Sequence, residues 1–356
     1  MNNGLSIYKT VVMIAAIEQL ATRRTFLKDR YFKTSSTDIF PTDEVLVEVK
    51  KGRKKLAPVV APRSGGVTVL REGYRVTSYA PPKIVPKRPL TIDDLNKKQF
   101  GETLIVGGYT PEQREALILG QDLTEMSNMI SSTEEYMCAQ LMLNNAIVLK
   151  EKDGDKEASE YEIRFFDGSD NPAKYSPATS WDKDGAKIYA DIRAMVRMLS
   201  QNGNPAVDLV MAPDIADHII NDERIQKLLD IKNINIALFE PLQLPDGTSQ
   251  IGTINVDGHN INLISYDETY EDDEGNIKQF IPAGHIILTA PEAGKIAYGA
   301  VTQLEQTDHA FHTYAAQRVP KYFADAENEV RELKVTSRPL PMPNAYMPWV
   351  SAKVVF

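Results

Sequence analysis

The sequence predicts an α+β fold, and three observations carry that prediction. Short runs in which apolar and polar residues alternate are spread along the chain, the period of strands with one buried face. One stretch beginning near residue 111 repeats apolar residues at three- and four-residue steps for long enough to require an unusually long helix. Beyond Pro177, shorter helical patterns alternate with strand patterns. Hydrophobic residues make up 42% and charged residues 25%, a balance that lets a soluble chain bury a large core. At 356 residues the chain exceeds one ordinary core, so two or three structural units are expected.

Residues 1–40 read as an arm. The apolar run Val11 to Ile17 ends at Glu18. It is far short of the roughly 18 residues of a membrane span, and no small-residue cleavage site follows it. It reads as a turn or two of amphipathic helix in a chain that is not exported. Phe26, Tyr31 and Phe32 follow among Arg and Lys, and Asp38-Ile39-Phe40-Pro41 closes the arm, because proline disfavours helical backbone at the residue before it.

Residues 41–90 differ in texture. Val45, Val47 and Val49 alternate with Leu46, Glu48 and Lys50, as in a strand. The basic run Lys50-Lys51-Gly52-Arg53-Lys54-Lys55 follows, then Pro58, Pro62 and Gly65-Gly66. Two further extended runs, Val67 to Leu70 and Tyr74 to Tyr79, lead into Pro81, Pro82, Pro86 and Pro89. Extended runs about a Gly-Gly turn make a hairpin. Few of its side chains are large and apolar, and an unsupported hairpin is marginal in water. Something else must hold it.

Thr110-Pro111-Glu112-Gln113 opens the long helix, with Thr as N-cap, Pro at the first position and Gln completing a capping box. Leu119, Leu123, Met126, Ile130, Met137 and Leu141 form its stripe, interrupted by Thr133. Unbroken to about residue 146, it would be about 50 Å long at 1.5 Å per residue. Ser131-Ser132-Thr133-Glu134-Glu135 could equally cap a second helix, so one helix and two both fit. A hairpin follows: Ile147 to Lys150, the turn Asp153-Gly154-Asp155, and Tyr161 to Phe166. Ile188 to Leu199 reads as helix, Ala206 to Met211 as a buried strand, and Pro213 opens a helix capped by Ala212 or Asp214. Ile236 to Phe239, Val256 to Ile264 and Ile286 to Leu288 read as strands. The tail Val330 to Phe356 is extended, since Pro339, Pro341, Pro343 and Pro348 exclude a long helix.

The net charge of −9 conceals a division: residues 1–100 carry +10 and the remainder −19. Such asymmetry suits nucleic-acid binding or contact between like subunits. The run Lys50 to Lys55 has no aromatic stacking platform beside it, which favours a solvent- or partner-facing patch over a nucleic-acid surface. No phosphate-binding or dinucleotide loop is present. His309 and His312 would share one face of a helix, but no acidic or cysteine ligand stands at matching spacing. The run Asp267 to Gly275 fails the calcium-loop register, because counting back from Gly275 puts Tyr270 at the first ligand position; a solvated hairpin turn is expected. The single cysteine, Cys138, allows no intrachain disulfide and reads as a small buried hydrophobe. Trp181 and Trp349 read as packing anchors. These features give no catalytic, cofactor or metal site, and no enzyme is expected.

Several segments carry a family likeness in the same order along the chain. They are Thr25 to Phe32, Leu56 to Gly66 (Leu-Ala-Pro-Val-Val-Ala-Pro-Arg-Ser-Gly-Gly), Tyr79-Ala80-Pro81-Pro82-Lys83, Phe280-Ile281-Pro282, and Ala315-Ala316-Gln317-Arg318-Val319-Pro320-Lys321. With them the chain resembles the lambda-type major capsid proteins of tailed bacteriophages, the phage major capsid protein E family. The resemblance implies the tailed-phage capsid (Johnson) fold. Residues 1–40 would be the N-terminal arm and 41–90 the extended loop, or E-loop. Residues 91–179 would be the peripheral P domain with its spine helix, 180–308 the axial A domain, and 309–356 a return to the P domain. The hairpin Ile147 to Phe166 and the tail would supply the P-domain sheet.

The function implied is a structural subunit that self-assembles as pentamers and hexamers into an icosahedral head shell. That shell encloses the phage genome without sequence-specific binding and is assembled in the host cytoplasm. A non-viral nanocompartment shell of the same fold is the alternative. The partners implied are further copies of the chain, a scaffolding protein, a portal and a decoration protein, with no membrane and no cofactor. About 25 residues precede the family-like segment, so a separate scaffolding protein is expected in place of a cleaved N-terminal one. The E-loop would lie on the adjacent, acidic subunit. That makes Lys50, Lys51, Arg53, Lys54, Lys55, Arg63, Arg71 and Arg75, with Arg23 and Arg24 of the arm, the expected interface residues.

Overall fold

The computed structural model describes residues 9–20, 23–49, 75–91, 111–153, 156–165, 174–222, 224–226, 237–238, 242–243, 247–272, 274–306, 308–325 and 330–356, with backbone alone at 48–49, 75–76, 111–112, 152–153, 156–159, 237–238 and 242–243. The arm contains two short helices, α1 (Thr10–Gln19) and α2 (Phe26–Tyr31), and a 3₁₀ turn at Ser36–Asp38 closed by a reciprocal Ser35–Asp38 capping box. α1 buries Met13 and Ile17 and leaves Val11 and Val12 exposed. β1 (Val45–Val49) pairs antiparallel with β2 (Arg75–Tyr79), Val45 opposite Tyr79. Val45 and Val47 are buried while Leu46 is exposed, as the alternation requires. The connecting run from Lys50 to Tyr74, with the Gly65-Gly66 turn, lies outside the described residues. β3 (Lys87–Thr91) follows.

The helical stripe folds as one helix, α3 (Pro111–Asn144), 34 residues long. Its Thr110 cap lies outside the described residues. Leu123, Met126, Ile130, Met137 and Leu141 are all buried. Ser131 to Glu135 starts no second helix, because none of the side-chain bonds made by Ser131, Thr133, Glu134 and Glu135 caps a helix start within α3. Thr133 bonds back to the Met129 carbonyl, and Ser131 accepts from Arg318. The helix stops at Asn145, whose φ is +51°, a left-handed position that asparagine tolerates.

β4 (Ala146–Asp153) and β5 (Lys156–Arg164) form the next hairpin. Next come β6 (Lys174–Tyr175), α4 (Ile188–Gln201), β7 (Asp208–Met211), α5 (Pro213–Ile220), β8 (Ala237–Leu238), β9 (Leu242–Gln243), β10 (Thr248–Val256) and β11 (His259–Tyr266). The order continues with β12 (Thr269–Glu271), β13 (Ile277–Gln279), β14 (His285–Thr289), β15 (Gly294–Tyr298), β16 (Val301–Leu304) and β17 (Phe311–Tyr314). It ends with β18 (Val319–Asp325), β19 (Val330–Thr336), β20 (Pro339–Pro343) and β21 (Trp349–Lys353). The largest sheet has eight strands in the order β6-β21-β14-β7-β11-β10-β8, with β9 also beside β10. α4 turns Ile188, Ile192, Met195, Val196 and Leu199 inward, and all four residues of β7 are buried.

Three sequence expectations are corrected. Val256 to Ile264 is not one strand but the two arms of the β10–β11 hairpin, which turns at Asp257-Gly258 with φ of +51° and +86°. Asp-Gly is the dipeptide that such a two-residue turn selects. His309 and His312 share no helical face: His309 sits in the β16–β17 turn at φ +53°, and His312 lies on β17.

Among the described residues the tail and the β4–β5 hairpin also form no common sheet. β19 lies between β18 and β3, β20 pairs with β15, and β21 enters the largest sheet between β14 and β6. The tail therefore crosses the expected boundary at residue 308. The reason lies in its residues. Trp349, Val350 and Ala352 of β21 are apolar and buried, so that strand needs a covered sheet. Pro339, Pro341 and Pro343 leave β20 with only Leu340 and Met342 as donors, along one edge.

Candidate functional site

Among the described residues, a dense cluster of buried charged side chains lies where the arm crosses α3. Glu134, fully buried, receives both terminal N–H groups of Arg318 at 2.7 and 2.9 Å, the Lys28 ammonium at 2.9 Å and the Tyr298 hydroxyl at 3.0 Å. Burial by itself would raise this carboxyl, but Arg318 and Lys28 more than reverse that and hold it at about 2. Its neighbour Glu135 faces the start of α2. Thr25 makes no side-chain cap there, and Glu135 accepts the Leu27 and Lys28 amide N–H groups at 2.7 and 2.8 Å. A carboxylate from another element thus caps a helix whose N-cap residue, Thr25, makes no side-chain bond to it. Burial raises the Glu135 carboxyl to about 7.

The rest of the arm is tied down in the same way. Asp208 of β7 accepts Arg30 at 2.7 and 3.1 Å, the Tyr31 hydroxyl at 2.8 Å and the Asn262 amide at 2.7 Å. Arg23 pairs with Glu268 at 2.7 Å, and its backbone N–H donates to Asn128. Phe32 packs over Gly294, so closely that a Cβ at that position would run into its ring. The basic arm is therefore matched to acidic residues of its own chain through Arg23, Lys28 and Arg30, and at the surface through Lys33 and Glu292.

The interface residues expected from sequence fall into three groups. Arg23 is half exposed and ion-paired within the chain. Arg24 is exposed. Arg75 has its backbone on β2, while Lys50, Lys51, Arg53, Lys54, Lys55, Arg63 and Arg71 lie outside the described residues. Lys28, Arg30, Glu134, Glu135, Asp208 and Arg318 escaped the sequence reading. Their signals were present: Glu134 and Glu135 directly follow Thr133, the polar break in the stripe, and Lys28, Arg30 and Arg318 sit in two of the family-like segments.

Two further polar clusters are built from partners close in sequence. The acidic run forms the β12–β13 hairpin, where Asp272 pairs with Lys278 and accepts the N–H groups of Glu274 and Asn276. Lys278 and those N–H groups pull its carboxyl below the ordinary range. His312 bonds Asp308 at 2.7 Å. Cys138 is fully buried, and burial pushes its thiol up, away from nucleophilic reactivity. No three His, Cys, Asp or Glu side chains gather as a metal set among the described residues. Large apolar side chains do reach the surface: Leu304 and Phe311 face each other across the β16–β17 hairpin, and both are exposed.

The family model for phage major capsid protein E matches residues 9–354 of this chain. No curated protein sequence matches it. Among solved structures, a proposed prophage capsid protein of E. coli CFT073 is similar at 16% identity and a TM-score of 0.65, covering 97% of this chain and 99% of that one. A phage-related protein from Bordetella bronchiseptica RB50 is similar at 7% identity and a TM-score of 0.51, covering 96% of each chain.

Proposed function

This chain belongs to the phage major capsid protein E family, and from that premise we propose that its copies associate as the pentamers and hexamers of a closed head shell. It is a virion structural protein with the tailed-phage capsid fold, and it forms the shell around the phage genome. The observation that carries this reading is the extent of the family match, which runs from the arm at residue 9 to residue 354 in the last strand region. A non-viral nanocompartment shell, which shares the architecture, is not favoured by that match.

In this reading α3, the β4–β5 hairpin and the β18–β19–β3 sheet form the P domain. The eight-stranded sheet with α4 and α5 forms the A domain, to which the tail contributes β21. The hairpin begun by β1 and β2 reaches onto an adjacent subunit through Lys50, Lys51, Arg53, Lys54, Lys55, Arg63, Arg71 and Arg75, with Arg23 and Arg24 at the arm beside it. The subunit has no catalytic role, and the shell is assembled in the host cytoplasm with a separate scaffolding protein, a portal and a decoration protein. Co-expression with the scaffolding protein should give closed particles tens of nanometres across by electron microscopy. A strictly monomeric product under every assembly condition would overturn the proposal.

A further inference from the structure

The Tyr266 hydroxyl lies 2.8 Å from Glu135 Oε1 and 2.7 Å from Glu268 Oε2. Each of these oxygen pairs needs a proton between its members. A phenol carries one proton, and an ionised carboxylate carries none. With both contacts made, the second proton must therefore sit on one of the two carboxyl groups. Glu268 is the poorer seat, because its other oxygen faces the Arg23 guanidinium at 2.7 Å. Glu135 is the better seat. It is fully buried, and its partners are the Leu27 and Lys28 amides and the Tyr266 hydroxyl, all neutral.

We propose that Glu135, Tyr266 and Glu268 form a proton-holding latch that fixes the arm to α3, and that loss of the proton from Glu135 loosens residues 23–31. The Glu135 acid donates to Tyr266, Tyr266 donates to Glu268, and Glu268 accepts Arg23. Both ends of the relay touch the arm: one caps α2, and the other holds Arg23. The groups around it are already committed. On α3, Glu134 is bound by Lys28 of the arm, by Arg318 just before β18 and by Tyr298 of β15, while burial pushes the Cys138 thiol up. On the arm, Asp29 accepts the Thr25 amide, and Arg30 and Tyr31 bind Asp208 of β7. Phe26 and Phe280 pack against the Tyr266 ring. None of these groups supplies Glu135 with a cation when it ionises.

The direction with pH follows. Burial raises the docked Glu135 carboxyl from 4.5 to about 7, so Glu135 holds its proton more tightly with the arm docked than with it released. Docking is strongest below pH 4.5, weakens as pH rises toward 7, and is constant above that.

The test uses the full-length protein. Infrared spectroscopy should show a carboxylic-acid carbonyl band at mildly acidic pH that is absent in Glu135→Gln. Amide-exchange protection of residues 23–31, corrected for intrinsic rates, should fall between pH 5 and pH 8 by at least about tenfold, the effect of one pKa unit. In Glu135→Gln the introduced amide donates permanently to Tyr266 but leaves the Leu27 N–H without its acceptor, so arm protection should drop at every pH and lose its pH dependence. If that variant fails to fold, Glu268→Gln decides. The glutamine introduced there supplies the second proton through its own amide, so the acid band of an intact Glu135 should disappear at lower pH than in the parent. A parent without the band, arm protection flat from pH 5 to pH 8, or a Glu268→Gln band that titrates as in the parent would overturn the latch.

Discussion

At the scale of single residues, the two adjacent glutamates of α3 have opposite electrostatics. Glu134 has three partners that favour its charged form, whereas Glu135 has amides and a phenol. Removing one member of a buried ion pair strands the other, at a cost of about 3–5 kcal/mol, so Arg318→Met should lower the denaturant midpoint sharply at neutral pH. The folded Glu134 carboxyl lies near 2, below its unfolded 4.5. Its stabilisation is therefore complete above pH 4.5 and lost as pH falls toward 2. Glu134→Gln should make stability less dependent on pH across that window, as measured by urea midpoints at pH 4.5 and pH 3. A slope equal to the parent's would remove Glu134 from the account. Gly294 illustrates close approach. Phe32 bridges to its backbone, and an added methyl must displace that ring. Gly294→Ala should cost about 1–3 kcal/mol by overpacking, read as a lowered melting temperature.

At the scale of elements, the arm and the β1–β2 hairpin contrast. The arm is held by its own chain: Lys28, Arg30 and Arg23 each meet a carboxylate, and Phe26, Leu27, Tyr31 and Phe32 are buried. The hairpin has Val45 and Val47 buried at its base, but its basic run has few large apolar side chains to offset ordering at roughly 1–2 kcal/mol per residue. Exposed ion pairs contribute only about 0–1 kcal/mol each, so a network spread over a neighbour must carry the contact. Charge reversal at Lys54, Lys55 and Arg63 together should block assembly, seen by sedimentation, while the subunit's own unfolding midpoint stays nearly unchanged. Normal particles from that triple variant would rule out the electrostatic contact.

At the scale of the whole molecule, the C-terminal tail binds the parts together. β19 completes the β18–β3 sheet, β20 pairs with β15, and β21 enters the eight-stranded sheet. Trp349 donates its indole N–H to Asn145 at the end of α3 and packs against Phe32 of the arm. One side chain thus joins arm, long helix and sheet. A chain ending at Pro348 loses the buried Trp349, Val350, Ala352 and Val354. The larger of these contribute about 1.5–3 kcal/mol each by burial, against a total stability of about 5–15 kcal/mol. The shortened chain should fail to fold, seen as loss of near-ultraviolet circular dichroism, and not merely fail to assemble. A truncated chain that folds but does not assemble would confine the tail to a role between subunits.

Local elements were legible in the sequence alone. The helix from Pro111, the strand read at Ala206 to Met211 and found at Asp208–Met211, the helix opened by Pro213 and the extended tail follow from periodicity and from proline's missing N–H, which act within a few residues. The family-like segments from Thr25 to Lys321 identified the fold and the shell function, because they record the order of elements along the whole chain. Contacts between residues far apart in sequence were settled by tertiary packing. That Ser131 to Glu135 is the middle of one helix depends on Arg318 and Lys28 arriving from elsewhere. That β21 leaves the tail for the largest sheet depends on which surface Trp349 can bury against. That Glu134 and Glu135 differ depends on one being met by a guanidinium and an ammonium, the other by two amides and a phenol. Side-chain charge is written in the sequence, but the partners that fix its protonation are brought together only by the fold.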